Sequence, residues 1–153
     1  MIQSRRDVMR ITAVLGAAFA AGLLSPKDVF AAEWSQKVFD AKSLADAVKA
    51  LGGDKFDVSA DVSITGPDIA ENGAVVPVSI SSKAPGTDFM AILVDKNPSA
   101  MSASFNIPAG TEAAVTTRVK MGATSNVHAL ARANGKWLVA TKEIKVTLGG
   151  CGG

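Results

Sequence analysis

The chain has 153 residues, 48% of them hydrophobic and 20% charged, with a formal net charge of +2, no tyrosine and a single cysteine. It is long enough for one domain with a sizeable core. It is too apolar and too evenly charged for a disordered chain, and it excludes an internal disulfide.

Residues 1–32 read as an export signal. Ser4-Arg5-Arg6-Asp7-Val8-Met9-Arg10 is a polar, basic start, and Ile11 to Leu24 is an apolar run of 14 residues. A membrane-spanning helix needs about 18 or more such residues, so this run is too short to be one. Val29-Phe30-Ala31 supplies the small residues of a cleavage site, which places the cut after Ala31 or Ala32. The pattern resembles the twin-arginine signal of bacteria, with Arg5 and Arg6 as its pair, a serine before them and an apolar residue two after. Removing this segment takes away four basic and two acidic residues and leaves twelve of each, a net charge of zero. Nucleic acid as a partner needs clustered excess Lys and Arg and is therefore not expected.

The mature chain begins with its main domain, residues 33–147, which opens on a short helix. Leu44, Ala47, Val48 and Leu51 fall at i, i+3, i+4 and i+7, one apolar helical face. Ser43 with Asp46 three later forms a capping pair, and Asp40 is an equally good start. Gly52-Gly53 ends the helix, since glycine readily takes the left-handed conformation found there.

Strand-like periods follow. Val58, Ala60, Val62 and Ile64 alternate with polar residues, which predicts one half-buried strand, broken by Gly66-Pro67. Further runs cover 74–81, 88–95, 102–107, 113–119, 124–133 and 136–147. Pro77 marks its run as an edge strand or a bulge, because proline cannot donate to a sheet ladder. Asn134-Gly135 predicts a tight hairpin, and Ala140-Thr141 is a candidate break in the last run. About seven short strands with frequent turns predict an all-β antiparallel sandwich held by apolar packing alone.

Few residues offer catalytic chemistry. His128 is the one histidine. It reads as a surface or partly buried strand residue, because no carboxylate or cysteine lies near it in sequence. Asp54, Asp57 and Asp61 are too loosely spaced to suggest more than a solvated face, and Trp34 and Trp137 read as packing residues. The tail is different. Cys151 sits between Gly149-Gly150 and Gly152-Gly153. Four glycines give the backbone wide freedom and a small cross-section. From Leu148 to Cys151 an extended chain spans roughly 10 Å, enough to enter a cleft on another protein. A catalytic cysteine needs a rigid mount beside a base, so residues 148–153 suit a substrate handle better than an active site.

That terminal motif on an exported β-rich chain resembles the SoxY family, sulfur carriers of bacterial sulfur oxidation. Glu71-Asn72-Gly73-Ala74-Val75-Val76-Pro77-Val78 and Thr117-Arg118-Val119-Lys120-Met121 also resemble segments of that family. The resemblance implies an immunoglobulin-like sandwich in a heterodimer with a SoxZ-like subunit. It implies a periplasmic location, export by the twin-arginine route and no cofactor beyond a covalent sulfur adduct on Cys151. Gly149, Gly150, Gly152 and Gly153 would form the carrier arm. A SoxAX-like cytochrome, a SoxB-like hydrolase and a SoxCD-like sulfane dehydrogenase would act on the cargo, the carrier itself being no enzyme. It implies no membrane association once the signal is cleaved.

Two other uses of the lone thiol remain open. One is a thiol redox protein or thiol peroxidase, which calls for a lowered thiol pKa and a resolving thiol that this chain lacks. The other is a structural module dimerised by a disulfide. A copper or haem chaperone using Cys151, His128 and the methionines lacks any ligand spacing.

Overall fold

The computed structural model describes residues 36–147; Arg5, Arg6, the rest of the signal, Trp34 and the arm 148–153 lie outside the described residues. Two helices lead the described residues, α1 (Gln36–Phe39) and α2 (Leu44–Ala50). Nine strands follow among the described residues: β1 (Asp57–Val58), β2 (Val62–Thr65), β3 (Ile69–Ala70), β4 (Val76–Ser82), β5 (Thr87–Val94), β6 (Met101–Asn106), β7 (Ala114–Val119), β8 (Ser125–Ala133) and β9 (Lys136–Val146).

The strands form an immunoglobulin-like sandwich. The larger sheet runs β1-β9-β8-β5-β6, with β3 also paired to β9, and the smaller runs β2-β4-β7. Pairing is antiparallel except where β1 and β3 lie parallel to successive stretches of β9. One core fills the space between the sheets, with Met90, Ile92 and Val94 of β5 and Val127, Ala129 and Ala131 of β8 facing Val76, Val78 and Ile80 of β4. A second core lies on the other face of the larger sheet, where Phe89, Ala91, Leu93, Leu130, Trp137 and Val139 meet Val38, Leu44, Ala47 and Val48 of the helical segment. The described residues therefore form three layers. This explains Asp88-Phe89-Met90-Ala91-Ile92-Leu93-Val94-Asp95, a run without alternation: β5 is covered on both faces and needs apolar residues in both phases.

The helix starts at Ser43, whose Oγ accepts from Asp46 N at 3.1 Å while donating to Asp46 Oδ2 at 2.7 Å. Gly52 ends it at φ +84°. Gly53 then passes so close beneath Trp137 that a Cβ there would lie 2.2 Å from the indole Nε1. The linker between the helices is tied to the β5–β6 turn, with Ala100 N donating to Ala41 O at 3.1 Å and Lys42 Nζ to Pro98 O at 2.6 Å.

Three expectations need correction. The alternating run 58–64 is not one strand. Val58 is 86% exposed on β1 at the edge of the larger sheet, and the chain then crosses so that Val62 is buried in the smaller one. The crossing is a turn in which Ser59 Oγ accepts from Asp61 N at 3.1 Å and Val62 N donates to Ser59 O at 3.4 Å. Pro77 lies in β4, the central strand of its sheet. It is tolerated because β2 pairs with β4 only from Ser79 onward, so at Pro77 the strand has a partner, Arg118, on one side alone. The last run is unbroken: Ala140 pairs with Ala129 and Thr141 with His128. The Asn134-Gly135 hairpin forms as expected, with φ of 50° and 76°.

Candidate functional site: the exit of the last strand

β9 is the longest strand described, paired with β8 on one side and with β1 and β3 on the other. A strand held on both edges delivers its end in a fixed place. Lys145 N donates to Asp68 O at 3.0 Å, Val146 N to Thr124 Oγ1 at 3.0 Å, and Thr147 N to Ala70 O at 3.1 Å. Thr147 Oγ1 adds longer bonds to Ala70 O at 3.4 Å and Glu71 O at 3.3 Å. Thr147 is thus the last anchored residue among those described, and Cys151 follows four positions later in sequence. Four extended residues reach about 14 Å.

The loop that receives this end is Glu71-Asn72-Gly73. Asn72 Oδ1 accepts from Ala74 N at 2.9 Å, a side-chain turn that sets the loop. Met121 N donates to Gly73 O at 2.7 Å. A Cβ on Gly73 would lie 2.5 Å from Met121 O and 2.8 Å from Val146 Cγ1, so only glycine fits between those two neighbours. The segments 71–78 and 117–121 therefore meet: β4 pairs with β7, Val76 opposite Val119, and both lead into the ground from which the tail departs. Sequence reading did not find this anchor. β3, which holds half of it, is two residues long and has no period to detect.

An ion pair fixes the same margin. Lys142 Nζ lies 2.7 Å from Asp68 Oδ1, and its hydrogen bond and charge hold the Asp68 carboxyl below its ordinary value of 3.8. The folded pKa is the lower one, so the pair's contribution is present above the ordinary value and is lost as pH falls through the folded one. In a Lys142→Met chain the Asp68 carboxyl is expected to titrate back toward 3.8, as read by carboxyl NMR. An unmoved midpoint would mean the pair does not form in solution.

The other candidates are placed as follows. His128 is 8% exposed and fully partnered: Nε2 lies 2.8 Å from Asp95 Oδ1 and Nδ1 2.8 Å from Thr141 Oγ1. A carboxylate does accompany it, but from 33 residues away, where sequence proximity cannot reveal it. No group of three or more His, Asp, Glu or Cys among the described residues is arranged to hold a metal, so Asp54, Asp57 and Asp61 do not converge on a site. Trp137 is a packing residue, edge-on to Phe89 at 5.7 Å with the Arg132 guanidinium over its ring at 5.5 Å. Cys151 and the four glycines around it lie outside the described residues.

Comparison with known proteins follows the same outline. The family described as "Sulfur oxidation protein SoxY" matches residues 48–151. Among solved structures, the sulfur carrier protein SoxY from Chlorobium limicola f thiosulfatophilum is 34% identical, with a TM-score of 0.60 over 67% of this chain and 96% of that one. The superoxide reductase (neelaredoxin) from Ignicoccus hospitalis is 20% identical, with a TM-score of 0.51 over 56% of this chain and 80% of that one, a likeness of fold alone. No curated protein matches. The fold, the extent of the match and the identity to a sulfur carrier establish that the chain belongs to the SoxY family of sulfur oxidation proteins.

Proposed function

We propose that Cys151 Sγ covalently carries intermediates of thiosulfate oxidation and presents them to a series of periplasmic enzymes. One observation carries the reading: the family match ends on Cys151 itself, four residues beyond the anchored Thr147. A fixed base with a short glycine-flanked extension lets the sulfur travel into other active sites while the sandwich stays outside. The chemistry needs nothing further from this chain. Oxidative loading joins the thiolate to thiosulfate, giving Cys–S–S–SO3⁻, and two electrons pass to a c-type cytochrome of the SoxAX kind. Hydrolysis by a SoxB-like enzyme then adds water, releases sulfate and two protons, and leaves the persulfide Cys–S–S⁻. Where a SoxCD-like dehydrogenase operates, it oxidises that remaining sulfur. The carrier is a substrate of these enzymes, holds no cofactor of its own and works as a heterodimer with a SoxZ-like subunit.

The deciding experiment is intact mass spectrometry of the protein from its native periplasm, with and without reductant. Reductant-labile additions of sulfur atoms or of a thiosulfonate on the Cys151 peptide are expected. A bare thiol, or only a doubled mass from a disulfide, would remove the carrier reading.

Gly150→Val is expected to leave the melting temperature unchanged and to slow turnover by partner enzymes by roughly tenfold or more, because a β-branched residue stiffens and widens the arm. Equal turnover would show the glycines to be dispensable. Arg5→Lys with Arg6→Lys is expected to strip both this chain and its co-exported partner from the periplasm. Normal levels of both would exclude the twin-arginine route.

A further inference from the structure

One flank of the sandwich is open. β6 ends the larger sheet and β7 ends the smaller, so among the described residues neither has a strand partner on its outer side. Between them runs a cleft of about 720 Å3, walled by Met101, Ser102 and Ala103 of β6 and by Thr117, Arg118 and Val119 of β7. Asn97 staples one end, its Nδ2 donating to Lys120 O at 2.7 Å and its Oδ1 accepting from Gly122 N at 3.2 Å.

Three features of this cleft are unexplained by the chain alone. First, β6 reads Met-Ser-Ala-Ser-Phe-Asn, with neither charge nor proline to guard a free edge. The opposite edge of the same sheet is, by contrast, cut into the two-residue strands β1 and β3. Second, the register steps from Ile92–Ala103 to Leu93–Met101, which leaves Ser102 as an extra, bulged residue. Its hydroxyl is buried without a hydrogen-bond partner among the described residues, a costly state that rotation of the side chain toward the cleft, onto a polar group seated there, relieves. Third, Arg118 and Lys120 border the β7 side, and none of the ion pairs among the described residues involves them.

We infer that the β6–β7 cleft seats an extended segment of the SoxZ-like subunit, apolar along one face and carrying acidic side chains on the other; this rests on the heterodimer reading above. Backbone groups of that segment pair with the free edge of β6, one of them satisfies Ser102 Oγ, and its carboxylates face Arg118 and Lys120. Other occupants fit less well. The chain's own Leu148–Gly153 has one apolar side chain of any size and no acidic side chain. A second copy docked through the same face would bring two sets of Arg118 and Lys120 together, since a two-fold contact is self-complementary.

The test uses the mature chain co-produced with its SoxZ-like subunit. A benzophenone amino acid at Ala103 or Thr117 is expected to cross-link to one contiguous acidic stretch of that subunit. Arg118→Glu with Lys120→Glu, both exposed positions, is expected to weaken the complex by about tenfold or more at low salt and to flatten its salt dependence. Melting temperature serves as the control for folding. Cross-links to residues 148–153 of the same chain or to a second copy overturn the assignment, and so does an unchanged affinity of the double variant. If the parent chain binds the subunit and loads sulfur on Cys151 but the variant is unaffected, the cleft assignment falls and the carrier reading stands. If the parent chain binds no such subunit, the cleft assignment and the heterodimer fall together.

Discussion

A Cys151→Ser chain is expected to fold, reach the periplasm and carry no sulfur. Thiosulfate-dependent electron transfer in a reconstituted system should drop to background, because a serine hydroxyl is not ionised near neutral pH and forms no bond to sulfur that a thiol would reverse. Stability should stay within about 0.5 kcal/mol of the parent. The two described cores draw on residues between Val38 and Val146. Sulfur recovered on the serine variant, or turnover above background, would place the cargo elsewhere. A large fall in melting temperature would instead give Cys151 a structural role.

Trp137→Ala is expected to produce the largest loss of stability, about 3–5 kcal/mol by urea titration. The indole is 5% exposed and forms the hinge of the outer core. It packs edge-on against Phe89 and beneath Arg132, and Gly53 and Val48 close on it from the helical side. Removing it opens a void between the larger sheet and α2, at the one place where the backbone has been narrowed to glycine to admit the ring. The core between the sheets is a separate cluster on the other face of the larger sheet and should survive. The expected result is an early loss of helical signal, with the sandwich unfolding later or at the same reduced midpoint. A cost near 1 kcal/mol would show that the helices are held mainly by Lys42, Ala100 and the other polar ties to the β5–β6 turn.

Cys151 and Trp137 were not equally visible in the sequence. Cys151 needed no structure: a solitary thiol between glycine pairs is a local pattern. Trp137 read as a packing residue from the start, but what it packs against was hidden. Its partners Phe89, Val48 and Gly53 lie 48 or more positions away along the chain. His128 shows the same limit. The sequence offered it no carboxylate, and the fold supplies Asp95 from β5's end across the β5–β8 ladder. The alternation over 58–64 misled for a related reason: a period of two says that residues are extended, not that they stay in one sheet. Val58 and Val62 share a phase, yet one pairs with β9 and the other with β4.

By itself, then, the sequence determined what adjacent residues can enforce. Ser43 and Gly52 bound the helix, Asn134-Gly135 turns the last hairpin because both positions can take positive φ, and the Val- and Ile-rich runs are extended. Tertiary structure alone decided which edges pair and which faces are covered. It placed β1 and β3 beside β9, buried β5 from both sides, anchored Thr147 on the Ala70–Glu71 backbone and left the β6–β7 flank open. Those outcomes depend on pairing between segments tens of residues apart. Their free energy comes from apolar area removed from water and from hydrogen bonds formed only once the loops between them have closed, and no short window of sequence contains either term.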